Sequence, residues 1–206
     1  MIIFNQPKRV KERYLVEQNE TISCVAFLND IYLLTGPSDA SIILWDIHKE
    51  DLSHSMIHKF NDHNNSVSCI DYSEYDGNIF ISGSADTTAR MWDIRQKHSC
   101  TRIFDESHSI INCVKFMPNS KFTVAVGGDD FFIRLYDIRA LGKISLYEDK
   151  SSESVSSVCF SKSGRLLFSA CNSQQIKVFD TLKEVKIDPL PIAHDKQVKC
   201  LGICMT

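Results

Sequence analysis

A histidine, a serine and an aspartate stand close together in this chain and could in principle carry out nucleophilic catalysis. They are His63, Ser82 and Asp86, and Trp92 follows them. In serine hydrolases a histidine takes the proton from the serine hydroxyl, and a carboxylate orients that histidine. Ser82 lies in a stretch with strand character, without the sharp Gly-x-Ser-x-Gly turn or the oxyanion loop that such enzymes use. The local pattern therefore favours a structural role for these residues.

Asp129 and Asp130 are a second candidate site, because paired carboxylates can act as general acid and base. Neighbouring residues of a strand point to opposite faces, so two adjacent aspartates are poorly placed to share one substrate. A nucleotide-hydrolysing site is not indicated either, since no Gly-x-x-x-x-Gly-Lys-Ser/Thr loop occurs in the sequence. We therefore expect a protein that is not an enzyme and that has no cofactor or small-molecule substrate.

An aromatic residue followed by Asp recurs four times along the chain, at separations of 47, 44 and 43 residues. The four pairs are Trp45-Asp46, Trp92-Asp93, Tyr136-Asp137 and Phe179-Asp180. A period of this size, marked by an aromatic-Asp pair, is typical of the four-stranded blade of a β-propeller. Catalytic sets do not recur in fragments at a fixed period, so the repeat supports the structural interpretation.

Each repeat contains the patterns of four strands, and no stretch has a convincing helical period with caps. The first strand alternates apolar and polar residues, the second ends in small residues, and the third ends at the aromatic-Asp pair. A fourth, weaker strand is indicated at Met56 to Phe60, Thr101 to Phe104 and Lys143 to Tyr147. The predicted first strands are Ile22 to Phe27, Val67 to Tyr72, Ile111 to Phe116, Val155 to Phe160 and Val198 to Ile203.

The offsets of His63, Ser82, Asp86 and Trp92 resemble those of the buried polar network of WD-repeat blades. The resemblance implies that the aspartate orients the histidine, whose other nitrogen meets the hydroxyl, while the indole N–H completes the chain. Such a network stabilises a fold when every buried donor has an acceptor. The other repeats retain parts of it: Thr35, Asp39 and Trp45; Asp130 and Tyr136, with Val126 and an out-of-register His108; Ser169 and Phe179; and His194.

We therefore predict an all-β fold, an incomplete WD-repeat β-propeller of about four four-stranded blades plus the first strand of a fifth. The chain is expected to be one partial propeller domain over residues 1–206. Residues 1–19 are interpreted as the remnant of a preceding blade. The predicted repeat units cover about 20–61, 62–105, 106–150 and 151–191, and the next unit starts at 192–206.

The composition gives no reason to expect contact with nucleic acid or insertion into a membrane. The chain is 43% hydrophobic and 24% charged, with a formal net charge of −3, whereas phosphate binding normally needs a basic face. No apolar run approaches the roughly 18 residues that a membrane span needs. The start, Met1 to Phe4, does not have the pattern of a secretory signal.

Four of the eight cysteines, Cys24, Cys69, Cys113 and Cys200, stand at the same place in successive repeats. No Cys-x-x-Cys pair occurs, so the spacing does not indicate a zinc or other metal site. A small buried side chain on an inner strand explains the recurrence better. We expect these thiols to remain reduced, as in the cytosol.

Longer runs of the sequence resemble the beta subunit of heterotrimeric G proteins. The most specific is Val158 to Leu167, whose Ser-Lys-Ser-Gly-Arg core is more distinctive than any Trp-Asp pair. Three further runs follow the order of that family and extend the likeness over nearly the whole chain: Ile111 to Asn119, Gly128 to Asp137 and His194 to Gly202.

This resemblance implies a signal-transduction scaffold that binds gamma and alpha subunits and effectors in G-protein-coupled receptor signalling. Asn112 and Asp129 match positions of the family's docking face and are expected to contact partners. Thr21, Ser66, Ser68 and Ala85 depart from the family pattern on that face. The implied location is cytoplasmic, at the inner face of the plasma membrane through a lipidated partner. The alternative is another WD-repeat adaptor, such as a ubiquitin-ligase substrate receptor or an assembly platform.

The resemblance also implies a seven-bladed ring and an N-terminal coiled-coil helix for the gamma subunit. Four units and a further strand cannot close such a ring, and no heptad pattern precedes residue 20. On the sequence alone, we therefore expect a partial product or a truncated isoform of a divergent beta subunit. We expect its open ends to favour pairing with another chain.

Overall fold

A computed structural model describes the protein over most of its length. The described residues are 2–3, 13–14, 20–49, 55–96, 100–140, 142–148, 153–171, 175–187, 190 and 197–202. Every regular element among them is a β-strand, as predicted. Two short strands, β1 (Ile2–Ile3) and β2 (Arg13–Tyr14), pair antiparallel near the start of the chain.

The described residues form four four-stranded antiparallel sheets, which we call blades 1 to 4. In each blade the strands lie side by side in chain order. Blade 1 contains β3 (Ile22–Phe27), β4 (Tyr32–Pro37), β5 (Ile42–Asp46) and β6 (Met56–Phe60). Blade 2 contains β7 (Val67–Tyr72), β8 (Ile79–Ser84), β9 (Ala89–Asp93) and β10 (Cys100–Phe104). Blade 3 contains β11 (Ile111–Phe116), β12 (Thr123–Gly128), β13 (Phe132–Asp137) and β14 (Lys143–Glu148). Blade 4 contains β15 (Val155–Phe160), β16 (Leu166–Cys171), β17 (Ile176–Asp180) and β18 (Val185–Ile187).

The first strands of successive blades contact one another, β3 with β7, β7 with β11, and β11 with β15. These are the inner strands, and the last strand of each blade lies at the outer edge of its sheet. Three of the four apolar clusters join neighbouring blades, and the fourth lies within blade 1. One joins Ile81 and Phe104 of blade 2 to Val114 and Phe116 of blade 3. Burial of apolar surface between neighbouring sheets therefore holds the described blades together.

A bulge interrupts the ladder near the start of every inner strand. In blade 2, Val67 pairs with Ser84 and Cys69 pairs with Gly83, so Ser68 is the bulge residue and has no pairing partner on β8. The same shift occurs in the other three blades, where the skipped residues are Ser23, Asn112 and Ser156. A bulge turns the extra side chain away from the ladder, so these residues can reach the next blade.

Glycine on the second strand allows the next blade to approach closely. A Cβ at Gly127 would lie 2.8 Å from Cγ1 of Val155 and 2.9 Å from Sγ of Cys113. The recurring cysteines therefore pack beside these glycines on the inner strands. Cys113 is buried, Cys24 and Cys69 are partly buried, and Cys200 is exposed. The prediction of a small buried side chain is confirmed for Cys113 and is wrong for Cys200.

Two differences from the predicted strands are informative. The three-residue strand β18 was not predicted, because Val185–Ile187 is short and all of it is exposed. Residues 198–202 do not form the expected fifth inner strand, and Ile203 lies outside the described residues. A strand needs a ladder partner, but these residues are held by side chains of β15: Ser156 Oγ donates to Val198 O at 2.9 Å, and Leu201 N–H donates to Ser157 Oγ at 3.1 Å.

Candidate functional site

The four candidate residues of blade 2 are joined in one chain of hydrogen bonds. Trp92 Nε1 donates to Ser82 Oγ at 2.8 Å, and Ser82 Oγ lies 2.7 Å from His63 Nε2. His63 Nδ1 lies 2.8 Å from Asp86 Oδ2. Because the serine oxygen already accepts the indole N–H, the hydroxyl donates to Nε2, and the protonated Nδ1 donates to Asp86. Every buried donor in the chain therefore has an acceptor.

Burial and hydrogen bonding fix the charge states of this network. Burial lowers the pKa of His63 below its ordinary value of 6.5, although the Asp86 carboxylate opposes this. Burial also acts on Asp86 and raises its pKa, but hydrogen bonds from Thr88, from Asn64 N–H and from His63 outweigh it and bring the pKa to about 2. The network consists of a neutral imidazole and an ionised aspartate at neutral pH.

The arrangement resembles a catalytic triad in its bonding but not in its access. Ser82 and Trp92 have no exposed surface, and the His63 side chain is fully covered. A nucleophile must reach the substrate atom that it attacks, and this hydroxyl is instead enclosed by the indole and the imidazole. The set positions the turn between β8 and β9 against the loop that precedes β7.

Blade 1 holds a shorter version of the same network. Trp45 Nε1 donates to Thr35 Oγ1 at 2.8 Å. Asp39 accepts from Ser41 N–H at 3.0 Å, and its other oxygen pairs with Lys59 Nζ at 2.7 Å. Lysine thus supplies the positive partner of the turn aspartate in this blade.

In blade 3 a serine occupies the position of the histidine. Ser107 Oγ donates to Asp130 Oδ2 at 3.0 Å, whereas His108 is exposed one residue further on. The same carboxylate oxygen pairs with Arg134 Nη2 at 2.7 Å. Tyr136 is buried, which raises the pKa of its hydroxyl to about 12. Ser107 and Arg134 were not singled out from the sequence, because their roles depend on which neighbour reaches Asp130.

Blade 4 is held mainly by apolar contacts at the corresponding positions. Phe179 is 2% exposed and packs against Tyr147 at a ring-centroid distance of 5.1 Å. The Ser169 hydroxyl is buried and lies 3.9 Å from Cys171 Sγ. His194 and Ser173 lie outside the described residues.

The two candidate partner-binding residues lie side by side on one face of blade 3. Asn112 Nδ2 donates to Asp129 Oδ1 at 2.6 Å and to Val155 O, in the next blade, at 3.1 Å. Asn112 is the skipped residue of the bulge in β11, and Ser156 makes the equivalent bond to Val198 O. Both candidates are only partly buried. Asn112 therefore links two blades, and its carboxylate neighbour remains partly open to solvent.

Exposed apolar side chains flank this pair. Asp129 N–H donates to Ile110 O at 3.0 Å, so the loop before β11 and the turn after β12 meet on one face. Ile110 is 40% exposed and Phe131 is 38% exposed. Phe131 also has a φ of 70°, a left-handed conformation that costs energy in non-glycine residues. We call Ile110, Asn112, Asp129 and Phe131 the loop-face patch.

Clusters of metal-ligating side chains and membrane-spanning helices are both absent from the described residues. No group of three or more His, Cys, Asp and Glu side chains among them is arranged to hold a metal ion. Within the same part of the chain there is no helix long and apolar enough to cross a membrane.

The model of the family WD domain, G-beta repeat, matches four segments of the chain, 11–46, 54–93, 98–137 and 143–180. Each later segment starts with the outer strand of one blade and ends with the third strand of the next. The repeat in sequence is therefore offset from the blade in space by one strand. The match of residues 11–46 places β2 at the position of such an outer strand.

Curated relatives extend the likeness. The guanine nucleotide-binding protein subunit beta of Zea mays is 32% identical over 180 residues, which cover 83% of this chain and 47% of that protein. The Arabidopsis thaliana protein of the same name is 33% identical over 201 residues, covering 93% and 53%. The nuclear distribution protein PAC1 of Candida tropicalis is 33% identical over 94 residues, covering 45% and 18%.

The chain spans about half the length of the beta subunits that it matches. Its described blades carry the tryptophan, serine, histidine and aspartate network of blade 2 and recurring fragments of that network. With four matched repeats over most of its length, the chain belongs to the WD-repeat family, in which it is similar to the beta subunits of G proteins.

Proposed function

We propose that the protein is a non-enzymatic signal-transduction scaffold of the G-protein beta class. The observation that supports this most strongly is the similarity to beta subunits over 83% to 93% of the chain. The burial of the Ser82 hydroxyl supports a structural rather than a catalytic role for the Ser, His and Asp set. In this proposal the nucleotide chemistry belongs to an alpha subunit, and this chain provides a rigid surface.

The proposed partners are an alpha subunit, a gamma subunit and effectors, and the proposed docking surface is the loop-face patch. Exposed aromatic and aliphatic side chains beside a carboxylate suit a protein partner that brings an apolar anchor and a basic group. The proposed location is the cytoplasm, at the inner face of the plasma membrane, reached through a lipidated gamma subunit.

The test is binding of a GDP-loaded alpha subunit to the chain co-expressed with a prenylated gamma subunit, measured by biolayer interferometry. Asp129→Ala should weaken binding about tenfold or more, as expected for loss of an interface anchor. Ser156→Ala is the control, since it removes the corresponding bond of the next bulge, to Val198 O, and leaves the four residues of the loop-face patch unchanged. If neither the chain nor its full-length product binds alpha or gamma subunits, a different WD-repeat adaptor is the better assignment. The partial match to a nuclear distribution protein favours that second candidate.

A further inference from the structure

A groove of about 650 Å³ runs along the outer edge of the molecule, between blade 1 and blade 2. Its walls are β6 and β10, the outermost strands of the two sheets. We call it the rim groove. The lining residues used below are His58, Lys59, Asp62, Arg90, Arg102 and Ile103.

Arg90 is the unusual member of this lining. Only 9% of the residue is exposed, and its Nε donates to Thr88 Oγ1 at 3.3 Å. No carboxylate among the described residues lies within ion-pair distance of it. Burying a guanidinium without a negative partner is costly. The site therefore favours an anion that the described chain does not supply.

The equivalent cations of the later blades do have carboxylate partners. Arg134 of blade 3 pairs with Asp130 at 2.7 Å, and Lys177 of blade 4 lies 3.6 Å from Glu153. In blade 1 the position is Ile43, which carries no charge. Arg90 thus differs from each of its counterparts.

The network of blade 2 explains why Arg90 has no ion pair. Asp86 Oδ2 receives hydrogen bonds from His63 and from Asn64 N–H, and Oδ1 receives two from Thr88. These four bonds occupy the carboxylate that Arg90 would otherwise use. The guanidinium is left facing the groove, where it can donate two hydrogen bonds to the two oxygens of one carboxylate.

The other charged groups of the lining already have partners or face solvent. Lys59 pairs with Asp39, and Arg102 donates to the backbone oxygen of Ile138 at 2.7 Å rather than to a carboxylate. His58 and Asp62 are exposed, and Asp62 is the one acidic side chain of the lining. Among the described lining residues, Arg90 is therefore the permanent cation that has neither a carboxylate nor a backbone carbonyl as its partner.

The shape of the groove suits an extended chain. Both walls are edge strands, and an edge strand can add a further strand through its unpaired backbone groups. An apolar side chain of the lining, Ile103, is 49% exposed. We propose that the rim groove binds an extended acidic peptide segment of a partner protein, one carboxylate of which pairs with Arg90. This second docking surface is separate from the loop-face patch.

The test is fluorescence polarisation with a labelled peptide of alternating glutamate and valine, compared with the same peptide carrying glutamine. The glutamate peptide should bind more tightly, and its affinity should fall as salt is added. Arg90→Ile should reduce the affinity by about 30-fold or more, as for removal of one member of a buried charge pair. Isoleucine is chosen because blade 1 has it at this position.

A second pair of variants keeps the proposal testable if Arg90→Ile does not fold. Ile103→Glu, on the exposed wall, should weaken the peptide by about tenfold through like-charge repulsion. Leu146→Glu is the matched control, since Leu146 pairs with Arg134 as Ile103 pairs with Arg90. Equal effects of the two variants, no preference for glutamate, or tighter binding of single-stranded DNA or inorganic phosphate would each overturn the proposal. Binding of the alpha subunit should not change in Ile103→Glu. A failure of the peptide proposal can therefore be distinguished from a failure of the proposed function.

Discussion

Blade 2 and blade 3 place the same kinds of side chain around the same turn, yet they connect them differently. In blade 2 the turn aspartate, Asp86, is bound by His63, and the nearby Arg90 has no carboxylate partner among the described residues. In blade 3 the equivalent Asp130 is bound by Ser107 and by Arg134. Three changes accompany the new partner of the arginine: histidine becomes serine, Ser82 is replaced by Val126, and Thr88, which bonds Asp86 twice, is replaced by Phe132.

The comparison shows that a single carboxylate is shared among competing donors within a blade. A histidine bridges the aspartate to the Ser82 hydroxyl and the Trp92 indole, which builds a long buried network. A serine is too short to bridge, so the aspartate turns to the arginine instead. The long network stabilises blade 2 through buried hydrogen bonds. The ion pair of blade 3 neutralises the buried guanidinium of Arg134, which would otherwise have no carboxylate partner.

The largest effect is expected from removing the aromatic end of the long network. Trp92→Ala should destabilise the protein by about 3–5 kcal/mol, through lost packing against Phe60 and Phe80 and a stranded Ser82 hydroxyl. Phe179→Ala, at the same position of blade 4, should cost somewhat less, because no comparable hydroxyl loses a donor. Urea unfolding of both variants measures the difference. Equal midpoints would contradict the importance of the polar network.

An intermediate effect is expected from giving blade 2 the residue of blade 3. His63→Ser should cost about 2–3 kcal/mol, since Ser82 loses its acceptor and a cavity forms. It should also free Asp86 to pair with Arg90. A double-mutant cycle of His63→Ser with Arg90→Ile, followed by urea unfolding, should therefore show a coupling energy of about 1 kcal/mol.

The outcome of that cycle is read from the cost of Arg90→Ile in the two backgrounds. Arg90→Ile should lower the free energy of unfolding more in the His63→Ser protein than in the parent, because the new ion pair between Asp86 and Arg90 is then lost. Additive costs would show that the histidine does not control the arginine.

Much of the fold follows from the sequence because a blade repeats its own pattern. The aromatic-Asp period and the alternating first strands locate the inner and middle strands of blades 1 to 4 and most of their outer strands correctly, whereas residues 198–202 do not form the further inner strand that the pattern predicted. The strand over Val185–Ile187 is missed because its exposed three residues carry no burial pattern. The bulges at Ser68 and Asn112 are missed for another reason, since they depend on how closely the next blade approaches.

The candidate site was likewise predictable only in part. The offsets of His63, Ser82, Asp86 and Trp92 suggested one network, and the structure brings these four together. The sequence did not reveal that Ser107 takes the position of the histidine, because the adjacent His108 was the more obvious candidate for it. Whether an arginine meets a carboxylate depends on three-dimensional competition, which no spacing rule describes.

The smallest expected effect is on the pH dependence of stability. Blade 2 has a titrating histidine in its network, His63, where blade 3 has Ser107. The pKa of His63 is lowered in the folded protein by burial, so the unfolded chain binds this proton more readily. The stability due to neutral His63 is therefore complete above its ordinary value of 6.5 and is lost as the pH falls below it. For one proton the slope is at most about 1.4 kcal/mol per pH unit. The contribution of Asp86 is lost only below its ordinary pKa of 3.8, toward its folded pKa of about 2, so this loss begins at a lower pH than that of His63. His63→Gln should flatten the dependence of the urea midpoint between about pH 7.5 and about pH 5.5. His58→Gln removes an exposed imidazole and is the control for the loss of a histidine as such. An equal slope in the parent and in His63→Gln would show that the imidazole of blade 2 is not held neutral.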